Sequence, residues 1–371
     1  MRSIAFFLLF IIFFIACNNE KESDFPVLSV NLSNKNVVSV FDVFEKIEII
    51  PLETNALSLL KGVGKIEFYN NHYYLSGRNG FFYCFNENGK FIRKIGDEGP
   101  GPEEYNYVTD FIINKNKDVM EMLSPFGILY FYELSGKFAG KIKLPDEVSN
   151  YQEIILVNDS IRILSSIVEN SICQLYVYSV QSNSIVNSFY REEPAIFSFN
   201  LRRFYKYNDS IYFYKPLIST VFRVDQQGYQ IDYSWDFGAL NPENRKLDKD
   251  ITKDELVEMF KNSQIKGIYN RQFQNDNYYY TCFTSAVNQN NFVDINVLFD
   301  KRNNKKFVFE KFKEDLDFFP IFWCNDFVLA STYKYDYRKV IKDAVLDEKN
   351  IKKLESIEED DNPFIIKYYF K

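Results

Sequence analysis

One histidine, His72, stands among 371 residues, and that scarcity excludes a good deal of chemistry. No zinc site of several imidazoles can be built, and the paired helical ligands of H-E-x-x-H are missing. A Ser-His-Asp relay would have to use His72, which follows Asn70 and Asn71 in what reads as a tight turn between two strands. Cysteine is nearly as sparse. Cys17, Cys84, Cys173, Cys282 and Cys324 lie far apart with no C-x-x-C, so neither a zinc ribbon nor a disulfide scaffold is indicated. The last four read as small apolar residues inside strands, with a bond between two of them left open. Basic tracts are absent as well. A net charge of −7 with scattered lysines argues against a nucleic-acid partner and against a polybasic membrane patch. The run from Gly96 to Gly101 precedes a strand and lacks the Lys-Ser/Thr ending of a phosphate-binding loop. Asp248, Asp250 and Asp254 suggest a calcium loop, but Lys253 occupies the place of its glycine and Met259 that of its glutamate, so they read as acids at a helix start. Neither a metal nor a cofactor is expected.

Aromatic residues are what the chain has in abundance. Tyr and Phe, 27 and 38 of them, bring the aromatic share to 18%, a composition suited to the half-buried faces of a pleated sheet. They fall in short runs broken by turns. Phe81-Phe82-Tyr83-Cys84-Phe85 leads through Asn86-Glu87-Asn88-Gly89 into Lys90-Phe91-Ile92-Arg93-Lys94-Ile95, and Ile128-Leu129-Tyr130-Phe131-Tyr132 leads through Glu133-Leu134-Ser135-Gly136 into Lys137-Phe138. Each pattern is an antiparallel hairpin. The turn residues Gly89, Gly136, Asn183 and Gly228 are spaced by 47, 47 and 45 positions (136 − 89, 183 − 136, 228 − 183). That period belongs to propeller blades, since solenoids of similar period carry helical patterning.

Five complete four-stranded units follow from this reading, and a sixth, starting near Phe319, has only three strands. The strand 46–52 has no hairpin neighbour and supplies the fourth against 363–370. The fold class is therefore all-β, a six-bladed β-propeller whose N-terminal strand closes the last blade and leaves no open edge. Two short helical insertions interrupt it. One spans 241–266, where Thr252 and Glu255 form a capping box, and the other runs over about 337–357.

At the N-terminus, Arg2 precedes an apolar run over 4–15 that is too short to span a bilayer comfortably, and residues 1–16 read as a secretory signal peptide. Phe14-Ile15-Ala16-Cys17 resembles a bacterial lipobox, which makes Cys17 the expected lipidation site. Several acyl chains anchor stably because each buried methylene contributes about 0.8 kcal/mol. The polar, acidic stretch 18–24 is similar to the surface-export signal of Bacteroidetes lipoproteins and has too little apolar content to fold. Residues 17–44 are then a lipid-anchored tether and lead-in, and 45–371 form the propeller. The expected address is the cell envelope, lipid-anchored to the outer membrane and either surface-exposed or periplasmic.

A family likeness rests on the loop Gly96-Asp97-Glu98-Gly99-Pro100-Gly101-Pro102-Glu103-Glu104-Tyr105, placed between two blades. It resembles the signature of the six-bladed β-propeller lipoproteins of Bacteroidetes, relatives of the NHL-repeat propellers. Asp361-Asn362-Pro363 before the last strand is similar to that family's ending. Glu103 stands where the family's loop is expected to carry Gly. The resemblance covers nearly all of the mature chain, and it implies the fold, the envelope address and a binding role without an established reaction.

The function expected is a binding or scaffold module with a protein or glycan partner, attached to the membrane through its lipid alone. Trp235, Tyr333, Tyr335 and Tyr337 lie near strand ends or insertions and are the aromatic candidates for a binding face. The alternative is an extracytoplasmic lyase or glycoside hydrolase using pore-facing carboxylates, such as Glu103 and Glu104, with Arg78, Arg202 and Arg203.

Overall fold

The computed structural model describes residues 24–168, 172–192, 203–244, 251–288 and 291–371. Six sheets, each built on four antiparallel strands, are arranged as the blades of a propeller. Blade one comprises Val63–Tyr69, His72–Gly77, Phe82–Asn86 and Phe91–Lys94, and blades two to five repeat that order from Asp110, Tyr151, Phe204 and Gly267. The first strands of successive blades touch one another, which places them innermost around the central channel.

Blade six is assembled from both ends of the chain. Phe322–Trp323, Phe327–Thr332 and Phe364–Phe370 come from the C-terminus, and Phe44–Pro51 adds the outermost strand. It pairs antiparallel with Phe364–Phe370, from Phe44 opposite Phe370 to Pro51 opposite Phe364. The closure expected from the unpaired N-terminal strand is thus the one the chain makes.

The aromatic content is spent between blades. Six clusters of buried side chains lie one in each gap between neighbouring sheets. Between blades five and six, Phe273, Tyr280 and Trp323 stack nearly parallel, with ring centroids 5.0 to 6.2 Å apart. Flat rings suit wedge-shaped gaps because they bury large area at low rotamer entropy. Cys84 and Cys282 are buried in these clusters, and with Cys324 they are free thiols. The side chain of Cys173 lies outside the described residues.

The recurring turn residues have a common task. Gly89 (φ +80°) and Gly136 (φ +92°) occupy the left-handed region that glycine adopts without strain. At each, the turn is pressed onto the outer strand of the preceding blade. A Cβ on Gly89 would sit 1.9 Å from the Pro51 carbonyl oxygen, and one on Gly136 2.9 Å from that of Lys94. Asn183 takes the same conformation and donates its side-chain amide to the Lys143 carbonyl. Gly89→Ala should therefore lower unfolding free energy by at least about 1–2 kcal/mol from the left-handed backbone alone. Gly228→Ala, with no atom within 4 Å of the new methyl, should cost less. Denaturant midpoints of the two variants check this.

Residues 25–44, read above as lead-in, are part of the folded body. Val27–Ser29 adds a fifth, parallel strand to blade four beside Tyr229–Asp236. Val38, Val40 and Val43 are buried against blades five and six. The short helix Val40–Val43 is capped by Ser39, whose hydroxyl also donates to Glu314. Both insertions are helical. Lys253–Lys261 carries the capping box, with the Thr252 amide donating to Glu255 Oε2 at 2.8 Å and the Glu255 amide to Thr252 Oγ1 at 3.2 Å. The second contains 3-10 turns and the helix Glu348–Glu355. Asp248 and Asp250 lie outside the described residues.

Candidate functional site

Alternation of strand direction gives the ring two unlike faces. Where the innermost strands end, the chain turns back tightly at Asn70-Asn71, Asn158-Asp159, Asn208-Asp209 and Asn325-Asp326. Where those strands begin, long crossovers and both helical insertions gather. That second, upper face is where functional residues are expected, because loops held by a rigid frame can vary without disturbing it.

Around the channel, five innermost strands place a charged side chain at one equivalent level. Lys65, Asp110, Glu153, Arg203 and Arg271 each stand five residues before the first residue of the tight turn below (70 − 65, 115 − 110, 158 − 153, 208 − 203, 276 − 271). Three of these strands bulge at or just before that point, between Val63 and Ile66, Tyr151 and Glu153, and Tyr269 and Arg271. A bulge inserts one residue and re-aims the next side chain, a device common beside functional sites.

Neighbours in the ring engage one another. Lys65 Nζ reaches Asp110 Oδ1 at 3.0 Å and donates to the Phe111 carbonyl at 2.6 Å. Asp110 Oδ2 accepts the Ile154 amide of blade three at 3.0 Å. Glu153 accepts the Arg203 amide at Oε1 and Arg203 Nε at Oε2, both at 2.8 Å. Ser165 Oγ receives Arg203 Nη2 at 3.1 Å. Arg271 instead packs its guanidinium over the Phe319 ring, 5.7 Å from the centroid. The equivalent level of blade six has Pro320, next to Phe319, in place of a charge.

Deeper in the channel, Lys206 is open to solvent but walled by protein. That partial desolvation holds its ammonium below the usual lysine range, against the opposing pull of the Glu67 carboxylate from blade one. Among the described residues, Lys206 and Glu67 together with the ring make four cations against three carboxylates, in a chain whose net charge is −7. An acidic protein with a locally basic channel concentrates anions there.

Aromatic residues stand around the upper face. Tyr107 is 58% exposed and lies beside Phe126, which is 69% exposed, with ring centroids 6.4 Å apart. Tyr107 adopts φ +36°, a strained conformation for a bulky residue, and such strain collects at ligand sites. Tyr333 and Tyr335 stack at 5.1 Å, and Arg78 is close enough to Tyr333 to act on its hydroxyl electrostatically.

The residues singled out from sequence divide accordingly. Tyr333 and Tyr335 are on the upper face, and Arg203 is in the ring. Trp235 is core: it is buried and donates Nε1 to Gln272 Oε1 at 2.8 Å. Tyr337 packs partly buried against the core of blade six and Phe364. The signature loop serves itself. Glu104 folds its carboxylate back onto the Gly101 amide at 2.8 Å, occupying the space that Cβ atoms on Gly99 and Gly101 would fill. The Glu103 carbonyl accepts the Tyr132 hydroxyl at 2.7 Å, so a glutamate is accommodated there through its backbone. His72 donates from Nδ1 to the Asn70 carbonyl at 2.6 Å, inside its turn. Cys17 and Arg202 lie outside the described residues. Sequence reasoning missed Lys65, Asp110, Glu153 and Arg271, although their fixed step to the following turn is written in the chain.

The chain belongs to the family described as Domain of unknown function (DUF4934), whose model matches residues 24–369. No curated protein matches it. Among solved structures it is similar to a Bacteroides fragilis protein described as a "Putative exported protein", at 19% identity and a TM-score of 0.77, covering 93% of this chain and 99% of that one. A Bacteroides vulgatus member of the DUF4221 family is similar at 12% identity and a TM-score of 0.55, over 89% and 97% of the two chains. Both likenesses concern the fold.

Proposed function

We propose that this protein is an extracytoplasmic binding module, anchored through lipid on Cys17, that takes its ligand on the upper face at the mouth of the channel. One contrast carries the reading. Aromatic side chains stand exposed around that mouth, whereas the two ring carboxylates, Asp110 and Glu153, and Glu104 of the signature loop are already engaged. Asp110 and Glu153 are held by cations and backbone amides, and Glu104 is held by its own loop. A general acid must keep a proton to give and a general base a free lone pair. Among the described residues no helix is long and apolar enough to cross a membrane.

Two experiments test this. Cys17→Ala should release the folded body from membranes into the soluble fraction after a high-salt wash, and its retention there would end the anchor reading. Replacing Tyr107 and Phe126 together by Ala should abolish capture of whatever protein or glycan co-purifies with the intact chain, at unchanged melting temperature. Undiminished capture would remove the upper face from the function.

A further inference from the structure

Resting on the reading of the channel mouth as a binding site, we infer that Arg271 is the anchor for a carboxylate group of the ligand. Lys65 and Asp110 pair across blades one and two, and Glu153 and Arg203 across blades three and four. Arg271, on blade five, is the one ring cation with no ion-pair partner among the described residues. Blade six, where the sixth charge would stand, offers Phe319 and Pro320 instead.

Arg271 is half-buried, so it has given up part of its hydration without gaining a counter-ion, an arrangement that a bound anion relieves. The bulge at Tyr269/Arg271 is what aims it, and the Tyr214 hydroxyl donates to the Asn270 carbonyl at 3.1 Å, fixing the bulged residue. Asp294 lies beyond ion-pair distance and accepts from Thr284 Oγ1. With one face of the guanidinium on Phe319 and one N–H turned to the Cys282 thiol of the paired strand, the rest of the planar N–H edge is left for a planar acceptor, the geometry of a bidentate carboxylate. The surplus positive charge of the channel works in the same direction.

Four probes separate the chemistry from its source: glucuronate against glucose, and N-acetylalanine against N-acetylalaninamide, each titrated into the full-length protein by calorimetry. At least one carboxylate should bind about tenfold more tightly than its neutral counterpart, as hydrogen bonds to charged groups allow, and which one does so tells a sugar acid from a peptide terminus. Arg271→Gln should remove that preference, Arg271→Lys should restore part of it, and the melting temperature should stay unchanged without ligand. Should Arg271→Gln fail to fold, the Arg271 Nε–H signal in NMR spectra of the unaltered protein should still shift on adding the carboxylate and not its neutral counterpart. Equal binding of charged and neutral probes, or a preference that survives Arg271→Gln, overturns the inference. If capture of the natural partner still depends on Tyr107 and Phe126 in that case, the binding reading stands without it.

Discussion

A chain ending before Phe364 should not yield a soluble monomer, and one lacking Phe44–Pro51 should fare no better. Phe364, Ile365, Ile366 and Tyr368 are almost wholly buried in blade six, and each such side chain contributes about 1.5–3 kcal/mol. Together they rival the net stability of a typical domain, about 5–15 kcal/mol. Their removal also strips both neighbours of a hydrogen-bonding partner, leaving Phe327–Thr332 and Phe44–Pro51 as open edges, and open apolar edges recruit other chains. Size-exclusion chromatography should show aggregates in place of a monomer. Conversely, Lys46→Cys with Tyr369→Cys places thiols on directly opposed residues of the closing pair. The resulting bond joins the ends of almost the whole ring, a closure typically worth about 2–4 kcal/mol. A truncated chain that stays monomeric and melts like the parent, or an oxidised double-cysteine protein no more stable than its reduced form, contradicts closure by this strand pair.

Blade boundaries were legible because the last hairpin of blades one, two and three needs a residue tolerant of positive φ at one place, and Gly or Asn fills it cheaply. Gly89, Gly136 and Asn183 keep step for that reason. The helix at Lys253–Lys261 was legible because its cap is local chemistry between Thr252 and Glu255. Val27–Ser29 was not. Three residues with a single buried side chain, Leu28, carry no periodicity, and their strand exists only because the edge of blade four is there to pair with.

The site was legible in part. Tyr333 and Tyr335 follow from their place at the start of an insertion, but Trp235 looks the same in sequence and is buried, because Gln272 from the neighbouring blade satisfies its indole. No propensity marks a bulge, and a charge inside an innermost strand resembles any solvent-facing residue. Only the constant step from each charge to the turn below it distinguishes the ring, and that step becomes visible once the blades are aligned by their turns rather than by their hairpin glycines.

The same ambiguity hides the strongest inter-blade contact outside the ring, and with it the second large effect. Glu121 in Val119–Ser124 and Arg162 in Ile161–Val168 look like the polar members of alternating strands, yet each is 1% exposed. Arg162 Nε donates to Glu121 Oε2 at 2.6 Å and Nη2 to Oε1 at 2.5 Å, its third nitrogen serves the Asn158 and Ile161 carbonyls, and Asn114 Nδ2 approaches Oε1 at 3.3 Å. The pair locks blade two to blade three with its hydrogen-bonding capacity nearly filled. Breaking it from one side should be severe: Arg162→Met leaves a buried carboxylate without its counter-charge, and such losses run to about 3–5 kcal/mol. Glu121→Met should be comparably damaging through the stranded guanidinium. Combining the two substitutions removes both charges and should recover much of the loss, since well-packed apolar side chains often replace a buried ion pair at little net change. Urea denaturation of the four proteins in the cycle gives the coupling directly. Single variants that each lose under about 1 kcal/mol, the range of exposed pairs, would show that water reaches the Glu121–Arg162 contact and that the two blades are not locked there.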